Sequence, residues 1–381
     1  MKKIKYPTIL DKIFEKLNSF NIKPVIVGGF IRDTLLEIES KDIDIELYNV
    51  EDIDLLESIL VKFGSLNTVG KSFSVLKLNV EDLELDFSLP RIDSKVAEGH
   101  RGFEIKNDAS LDFKTATSRR DFTINAIGYD VIEKKFLDPF NGITDLKTKK
   151  LKAVDLEKFG EDPLRVLRAV QFAARFDLDV DPQLLEICQT TVKSDQLLHL
   201  SRERIFSEIE KLLTKSQTPS QGFLLIKEMG LFKIFQEFFL LSPQEFEDIL
   251  TLLDRYKKLK NKLSEKESLI VMFTIVISKF STEDAKQFLH RLSANKEIIN
   301  KVANLHNYLQ EPSYTLAMRI DKALLEAYLK TIKMKNYKDF MKLVEPKIKG
   351  KDLIEQGLKP SKEFSVILEE KYKEQLKPFL T

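Results

Sequence analysis

The stretch VIVGGFIRDTLLEIESKDIDI, Val25–Ile45, decides how the rest of the chain is read. It opens on an apolar run, Pro24 to Val27, of the kind that forms a strand. Gly28-Gly29 follows at once, then the helix-compatible Phe30-Ile31-Arg32-Asp33. Two glycines between a strand and a helix let the backbone approach a ligand closely, since no Cβ intervenes. The N–H groups opening such a helix suit a phosphate. Arg32, in that first turn, adds a fixed cation for the same anion. Taken alone, this reads more simply as an ordinary tight turn. Lys41-Asp42-Ile43-Asp44-Ile45 shifts the balance. Period-two alternation aims Asp42 and Asp44 at one face of a strand and Ile43 and Ile45 at the core. Two like charges held together are unfavourable unless a cation sits between them, and Mg²⁺, with its preference for oxygen ligands, is the natural occupant. Asp86, in Leu85-Asp86-Phe87 on a later strand, is a candidate third acid.

Around this stretch, β-type runs extend over Val25 to Val27, Ile43 to Leu47, Val75 to Val80, Leu83 to Phe87 and Gly128 to Ile132. Turn signals separate them at Gly28-Gly29, Gly64, Asn67 and Gly70. Helical patterns are interleaved at Ile9 to Phe20 and Asp52 to Phe63, which makes the first ~150 residues an α/β or α+β domain. From about Phe159 onward helical periodicity takes over, with Leu164, Leu167, Phe172 and Phe176, then Ile205, Ile209, Leu212 and Leu213. Pro182, Pro219, Pro243, Pro312 and Pro360 mark helix starts or breaks.

Composition excludes several classes. The chain has 381 residues, 43% hydrophobic and 32% charged, which is ordinary for a globular protein. Its one cysteine, Cys188, allows no internal disulfide and fits a reducing cytoplasm. The opening MKKIKYPTIL is basic but runs into Asp11, Lys12 and Glu15, without the apolar region of a signal peptide. The longest apolar run, SLIVMFTIVIS around Leu269 to Ser278, is about half the ~20 residues of a membrane span and reads as a buried helix. With 61 Lys+Arg against 60 Asp+Glu the net charge is +1, so any RNA contact uses local patches. Two candidates are Arg255, Lys257, Lys258, Lys260 and Lys262, and the lysine-rich tail from Lys333; either reads equally as a solvated helix face.

The order of Gly-Gly, Asp-x-Asp and later acid resembles the polymerase-β nucleotidyltransferase superfamily. Three further stretches resemble the class II CCA-adding enzymes and their bacterial poly(A) polymerase relatives. These are Arg119-Arg120-Asp121-Phe122-Thr123-Ile124-Asn125-Ala126-Ile127, Asp138-Pro139-Phe140-Asn141-Gly142, and Gly160-Glu161-Asp162-Pro163-Leu164-Arg165-Val166-Leu167-Arg168. Weaker similarity continues through Pro219 to Phe235 and Gly350 to Leu368. The resemblance implies a nucleotidyltransferase head with a mixed sheet over 1–150. It places a base-reading helical neck over 151–215 and an all-α, tRNA-binding body and tail over 216–381.

It further implies two-metal-ion transfer from CTP and ATP to the 3′ end of the tRNA acceptor arm, with Mg²⁺ on Asp42 and Asp44 and Asp86 assisting. Gly28, Gly29, Arg32 and Arg120 then hold the triphosphate. The run after Asp121 is helix-compatible, with Ile124 and Ile127 facing the core. Pro163 starts a helix, which Asp162 caps on the plainer reading. Asp162, Arg165 and Arg168, three apart, run along one side of it. An aspartate accepts from the exocyclic amine of cytosine or adenine, and an arginine donates to the neighbouring ring acceptor. The resemblance gives that base-reading role to Asp162 and Arg165, assisted by Arg168.

Two departures stand out. Gln171 occupies a position where many relatives have arginine, and no histidine among His100, His199, His290 and His306 precedes an aspartate. A metal-dependent phosphohydrolase activity is therefore not expected. His100 falls in a glycine-flanked loop of the Val69 to Phe103 stretch, which also holds Arg91 and is where the difference between full and partial CCA addition is expected to reside. The rivals are an enzyme adding only CC or only A, a poly(A) polymerase, and, from another class, a non-catalytic RNA-binding module. No obligatory protein partner is evident.

Overall fold

A computed structural model describes residues 4–40, 42–67, 75–95, 103–108, 110–259, 262–292 and 295–379. The chain divides into two compact units, Met1–Ala169 with Leu178–His199, and Val170–Asp177 with Leu200–Thr381.

The first unit holds a seven-stranded mixed sheet in the order β3-β4-β5-β2-β1-β8-β9. Its strands are β1 (Lys23–Val27), β2 (Ile43–Tyr48), β3 (Ser65–Asn67), β4 (Val75–Val80), β5 (Leu83–Ser88), β8 (Gly128–Asp130) and β9 (Lys135–Leu137). Only the β2–β5 pair is parallel; the other neighbours are antiparallel. A separate hairpin joins β6 (Arg91–Lys95) to β7 (Phe103–Asn107), and β10 (Lys150–Leu151) pairs with β11 (Asp179–Val180). The helices of this unit are α1 (Ile9–Asn18), α2 (Gly29–Leu35), α3 (Ile53–Leu60), α4 (Phe113–Thr117), α5 (Gly142–Lys147), α6 (Leu156–Phe159) and α8 (Pro182–Lys193). Helix α7 (Leu164–Phe176) begins in this unit and ends in the other.

Alternation along the strands gives the sheet two unlike faces. Ile26, Ile43, Ile45, Leu47, Leu78, Leu85 and Phe87 are buried on one, where the apolar sides of α1 (Leu10, Ile13, Leu17) and α3 (Leu56, Leu60) supply the rest of the core. One cross-strand row of the other face carries the charged residues of interest. Lys77 lies opposite Asp86, Asp86 beside Asp44, Asp44 opposite Val27, and Val27 opposite Gly128.

The helix expected after Arg120 is only a 3-10 turn, Thr123–Asn125. Three β-branched residues in five disfavour an α-helix there, and the Thr123 N–H is drawn away to the Lys152 carbonyl at 3.0 Å. Ile124 and Ile127 are nevertheless fully buried.

The second unit is helical: α9 (Arg202–Lys215), α10 (Pro219–Glu228), α11 (Pro243–Lys258), α12 (Glu265–Val276), α13 (Thr282–Leu292), α14 (Lys296–Gln310), α15 (Tyr314–Ala317), α16 (Lys322–Thr331), α17 (Tyr337–Leu343), α18 (Gly350–Glu355) and α19 (Lys362–Leu376). Pro219 and Pro243 sit in the first turns of their helices, and Ser242 and Ser264 close capping boxes with Glu245 and Glu267. Every residue of α12 from Leu269 to Val276 is buried. No helix among the described residues is long and apolar enough to cross a membrane.

In one basic patch Lys258 and Lys262 are exposed, whereas two other members are tied inward. The Arg255 guanidinium donates to the Thr331 carbonyl at 3.0 Å and Lys257 Nζ to the Thr214 carbonyl at 2.8 Å. Burial pulls the Lys257 ammonium below its ordinary pKa. Lys260 lies outside the described residues.

Candidate active site

The turn between β1 and α2 is built on Gly28, whose φ of +72° and ψ of −131° belong to glycine alone. Its missing side chain has a second consequence. A Cβ at Gly28 would stand 2.9 Å from Arg120 Nη1 and 3.5 Å from Asp44 Oδ2. The Arg120 guanidinium and the Asp44 carboxylate therefore flank the bare backbone of the turn, and Gly28, at the N-cap of α2, brings no side chain to cap it. Arg120 Nε is buried without a hydrogen-bond acceptor among the described residues.

Asp42 precedes β2 and Asp44 lies within it; both side chains are exposed. Asp86, in register with Asp44, is half-buried and holds Lys77 Nζ at 3.0 Å, an ammonium it shares with Glu84 at 2.7 Å. Although Asp44 keeps an exposed surface, the chain packed around its carboxyl removes enough water to raise it above its ordinary pKa, with the charges of Asp86 and Asp42 adding to the rise and Arg120 acting in the opposite direction. Asp42, Asp44 and Asp86 thus lie at or beside the two central strands β2 and β5, their charge partly compensated by Lys77 and Arg120. Among the described residues no three of His, Cys, Asp and Glu converge into a ready-made metal nest. The donor set still fits a divalent cation, because Mg²⁺ is ordinarily held by one or two carboxylates with substrate phosphates completing its shell.

Arg32 is placed differently from the triphosphate-facing cation that its position suggests. Its side chain is buried, with Nε donating to Asp33 Oδ1 at 2.8 Å and Nη1 to Asn125 Oδ1 at 2.6 Å. Asn125 Nδ2 in turn donates to Asp121 Oδ1 at 2.9 Å. The other Asp121 oxygen receives Arg168 Nε at 2.7 Å and Nη2 at 2.6 Å. Burial alone would raise the Asp121 carboxyl; the Arg168 charge and the donors from Asn125 and the Phe122 N–H outweigh it and hold the group below its ordinary pKa.

At the start of α7, Asp162 precedes the helix, and its Oδ1 accepts the Leu164 N–H at 3.1 Å, which is the capping geometry. Arg165 donates Nη1 to the Lys158 carbonyl at 3.0 Å and Nη2 to the Arg119 carbonyl at 2.8 Å, with its head 6.0 Å from the Phe159 ring centre. Asp162, Arg165 and Arg168 are half-buried, whereas Val166, Leu167 and Ala169 between and beyond them are buried, so the three form a stripe. Gln171 is buried with its Nε2 lacking an acceptor among the described residues.

Sequence reasoning missed Lys77, Asn125 and Asp33. The two-residue turn Glu81–Asp82 between β4 and β5 fixes the register that sets Lys77 opposite Asp86, and that signal was available in the sequence. His100 and much of the Val69 to Phe103 stretch fall outside the described residues.

Residues 25–152 match the poly A polymerase head domain, and residues 177–240 match the probable RNA and SrmB-binding site of polymerase A. The CCA-adding enzyme of Lactococcus lactis subsp. lactis is 31% identical over 381 residues, spanning 93% of this chain and 89% of its own. Among solved structures, a CCA-adding enzyme in complex with ATP superposes with a TM-score of 0.72 at 22% identity, over 98% of this chain and 91% of that one. The Thermotoga maritima CCA-adding enzyme complexed with tRNA gives 0.69 at 22% identity, over 98% and 92%. These last two are likenesses of fold. The near full-length identity to the Lactococcus protein and the head-domain match together place this chain in the family of class II CCA-adding enzymes and bacterial poly(A) polymerases, whose members depend on divalent metal.

Proposed function

We propose that this protein adds or repairs the 3′-CCA end of tRNA, using CTP and ATP and releasing pyrophosphate. The observation that carries the reading is the meeting of Gly28, Asp44 and Arg120 at one point, with Asp86 in the adjacent register position. A bare glycine backbone, a planar cation and carboxylates at a single locus suit a nucleoside triphosphate with its metal.

In this reading Asp42 and Asp44 ligate Mg²⁺, with Asp86 assisting once Lys77 shares or yields its place. What the metal supplies when bound is a lowered pKa for the primer 3′-hydroxyl and neutralisation of the departing pyrophosphate. Gly28 and Gly29 let the triphosphate lie against the main chain, and Arg120 donates to it. Arg32, held inward by Asp33 and Asn125, braces the turn and adds its field rather than its whole donor set. Asp162 and Arg165 present the base-reading edge, steadied by Arg168. Two of the five Arg165 N–H groups are taken by carbonyls, which leaves three for the acceptors of a cytosine or adenine. Uracil and guanine present a ring N–H there and would leave a buried donor facing a donor.

The same proposal assigns residues 1–150 to the catalytic head, 151–215 to the neck and 216–381 to a body and tail that grip the tRNA by backbone and shape. It also places the protein in the cytoplasm, where Cys188, buried with its thiol pushed up to about 12 by burial, stays an inert apolar side chain.

The test is extension with Mg²⁺ of three tRNA transcripts ending before CCA, after C and after CC, given CTP, ATP or both. Products stopping at CCA support the full activity. Products stopping at CC, or extension of the CC transcript alone, identify a partial enzyme. A long adenylate ladder identifies a poly(A) polymerase. No extension in any lane leaves an RNA-binding module.

A further inference from the structure

The segment Arg119–Asn125 is tied in two directions. Towards α2, Asn125 Oδ1 accepts from Arg32 Nη1. Towards α7, Asp121 accepts twice from Arg168 and the Arg119 carbonyl accepts from Arg165. The link joining the two directions is the 2.9 Å hydrogen bond from Asn125 Nδ2 to Asp121 Oδ1. Asn125 is thus bonded both to Arg32 of α2 and to Asp121, the carboxylate that holds Arg168 of α7. Arg32, Asp33, Asp121 and Asn125 are all buried.

The residue type at 125 is dictated by its neighbours. Arg32 can only donate and ionised Asp121 can only accept, so the amide has one possible orientation. A carboxylate at 125 would serve Arg32 and repel Asp121; an ammonium would do the reverse. Bonds to ionised partners are the short, strong ones, and buried chains of them reinforce each other. Arg120, which flanks Gly28 beside Asp44, lies within this same bracket.

We propose that Asn125 is a positioning residue that locks the triphosphate side of the site (Gly28, Arg32, Arg120) to its base-reading side (Asp162, Arg165, Arg168), so that nucleotide selection depends on it. This rests on the functional reading above. A base held badly at α7 is then transmitted through Asp121 and Asn125 to the turn that holds the phosphates, and a mismatched nucleotide loses alignment as well as affinity.

The experiment compares full-length wild type, Asn125→Ala, Asn125→Asp, Arg168→Ala and the double variant Asn125→Ala/Arg168→Ala. Equilibrium affinities for CTP and UTP with Mg²⁺ and kcat/KM for extension of a tRNA lacking CCA are measured for each. Asn125→Ala should weaken CTP about tenfold or more, as expected for losing two charge-assisted bonds. It should also cut the CTP-over-UTP preference by roughly tenfold. Asn125→Asp keeps the acceptor for Arg32 and should hold CTP affinity within about threefold while losing a similar share of the preference. The double variant should be no worse than the more damaged single variant, to within about threefold. The inference is overturned if CTP and UTP change by the same factor in both Asn125 variants, or if the single effects multiply. Should Asn125→Ala not fold, Asn125→Asp carries the same comparison. A wild type that binds CTP in preference to UTP but extends no tRNA would refute the functional reading, while the affinity ratios still judge Asn125.

Discussion

Replacing Gly28 by alanine separates two roles that one glycine performs. Its φ and ψ lie where an L-residue is strained by about 1–3 kcal/mol. For a unit of this size each kcal/mol moves the melting midpoint by about 2–4 °C, so the sheet-bearing unit should melt about 2–12 °C lower. The added methyl would also sit 2.9 Å from Arg120 Nη1 and 3.5 Å from Asp44 Oδ2. The second distance is ordinary contact and leaves the carboxylate in place. The first is not, and because it involves the far end of a flexible side chain, the guanidinium moves. The triphosphate then loses a charge-assisted donor, raising KM for CTP about ten- to hundredfold with a smaller change in kcat. Differential scanning calorimetry and steady-state extension kinetics read the two effects separately. Gly350→Ala is the control, since a Cβ there meets nothing within 4 Å. A Gly28→Ala protein with wild-type melting and an unchanged KM for CTP would refute the geometric argument.

Asp42→Ala and Asp44→Ala should each abolish transfer while leaving the circular dichroism spectrum unchanged; near-wild-type turnover in either would sink the metal assignment. His306 yields a pH prediction for the helical unit. It is buried with Nε2 unpaired among the described residues, and burial holds its pKa below the ordinary 6.5 against a hydrogen bond with the Phe280 backbone. The folded pKa being the lower one, the histidine's contribution is intact above pH ~6.5 and is lost as pH falls below it. Thermal denaturation of the His306→Leu variant should show a shallower loss of stability between pH ~6.5 and ~5 than wild type; identical slopes would exclude this origin.

The elements legible in the sequence were those with both periodicity and punctuation. Val75–Val80 is a strand from end to end, and the proline at positions 182, 219 and 243 stands in the first turn of a helix in each case. The hairpin of β6 and β7 went unread because RIDSK and FEIKN offer little apolar alternation. The two-residue strands β10 and β11 carry no periodic signal at all. At the site, the alternation at Asp42 and Asp44 and the glycine pair were readable because local geometry alone specifies them. The inward turn of Arg32 was not. It depends on Asn125, 93 residues away along the chain, and on a 3-10 turn where an α-helix was expected. Lysine runs misled in a related way: Arg255 and Lys257 look like surface charge until their carbonyl partners on other helices are known.

Helix α12 carries eight successive buried residues, Leu269–Val276, against α9, α11, α14 and α16. A helix without a wet side cannot persist alone in water, so it has no stable existence before its four neighbours arrive, and they come from both earlier and later in the chain. The helical unit should therefore assemble in one cooperative step, with the α12 amides the slowest to exchange hydrogen for deuterium. A nascent chain released before Thr331 would leave that apolar cylinder bare, a surface for chaperones to hold or for other chains to stick to.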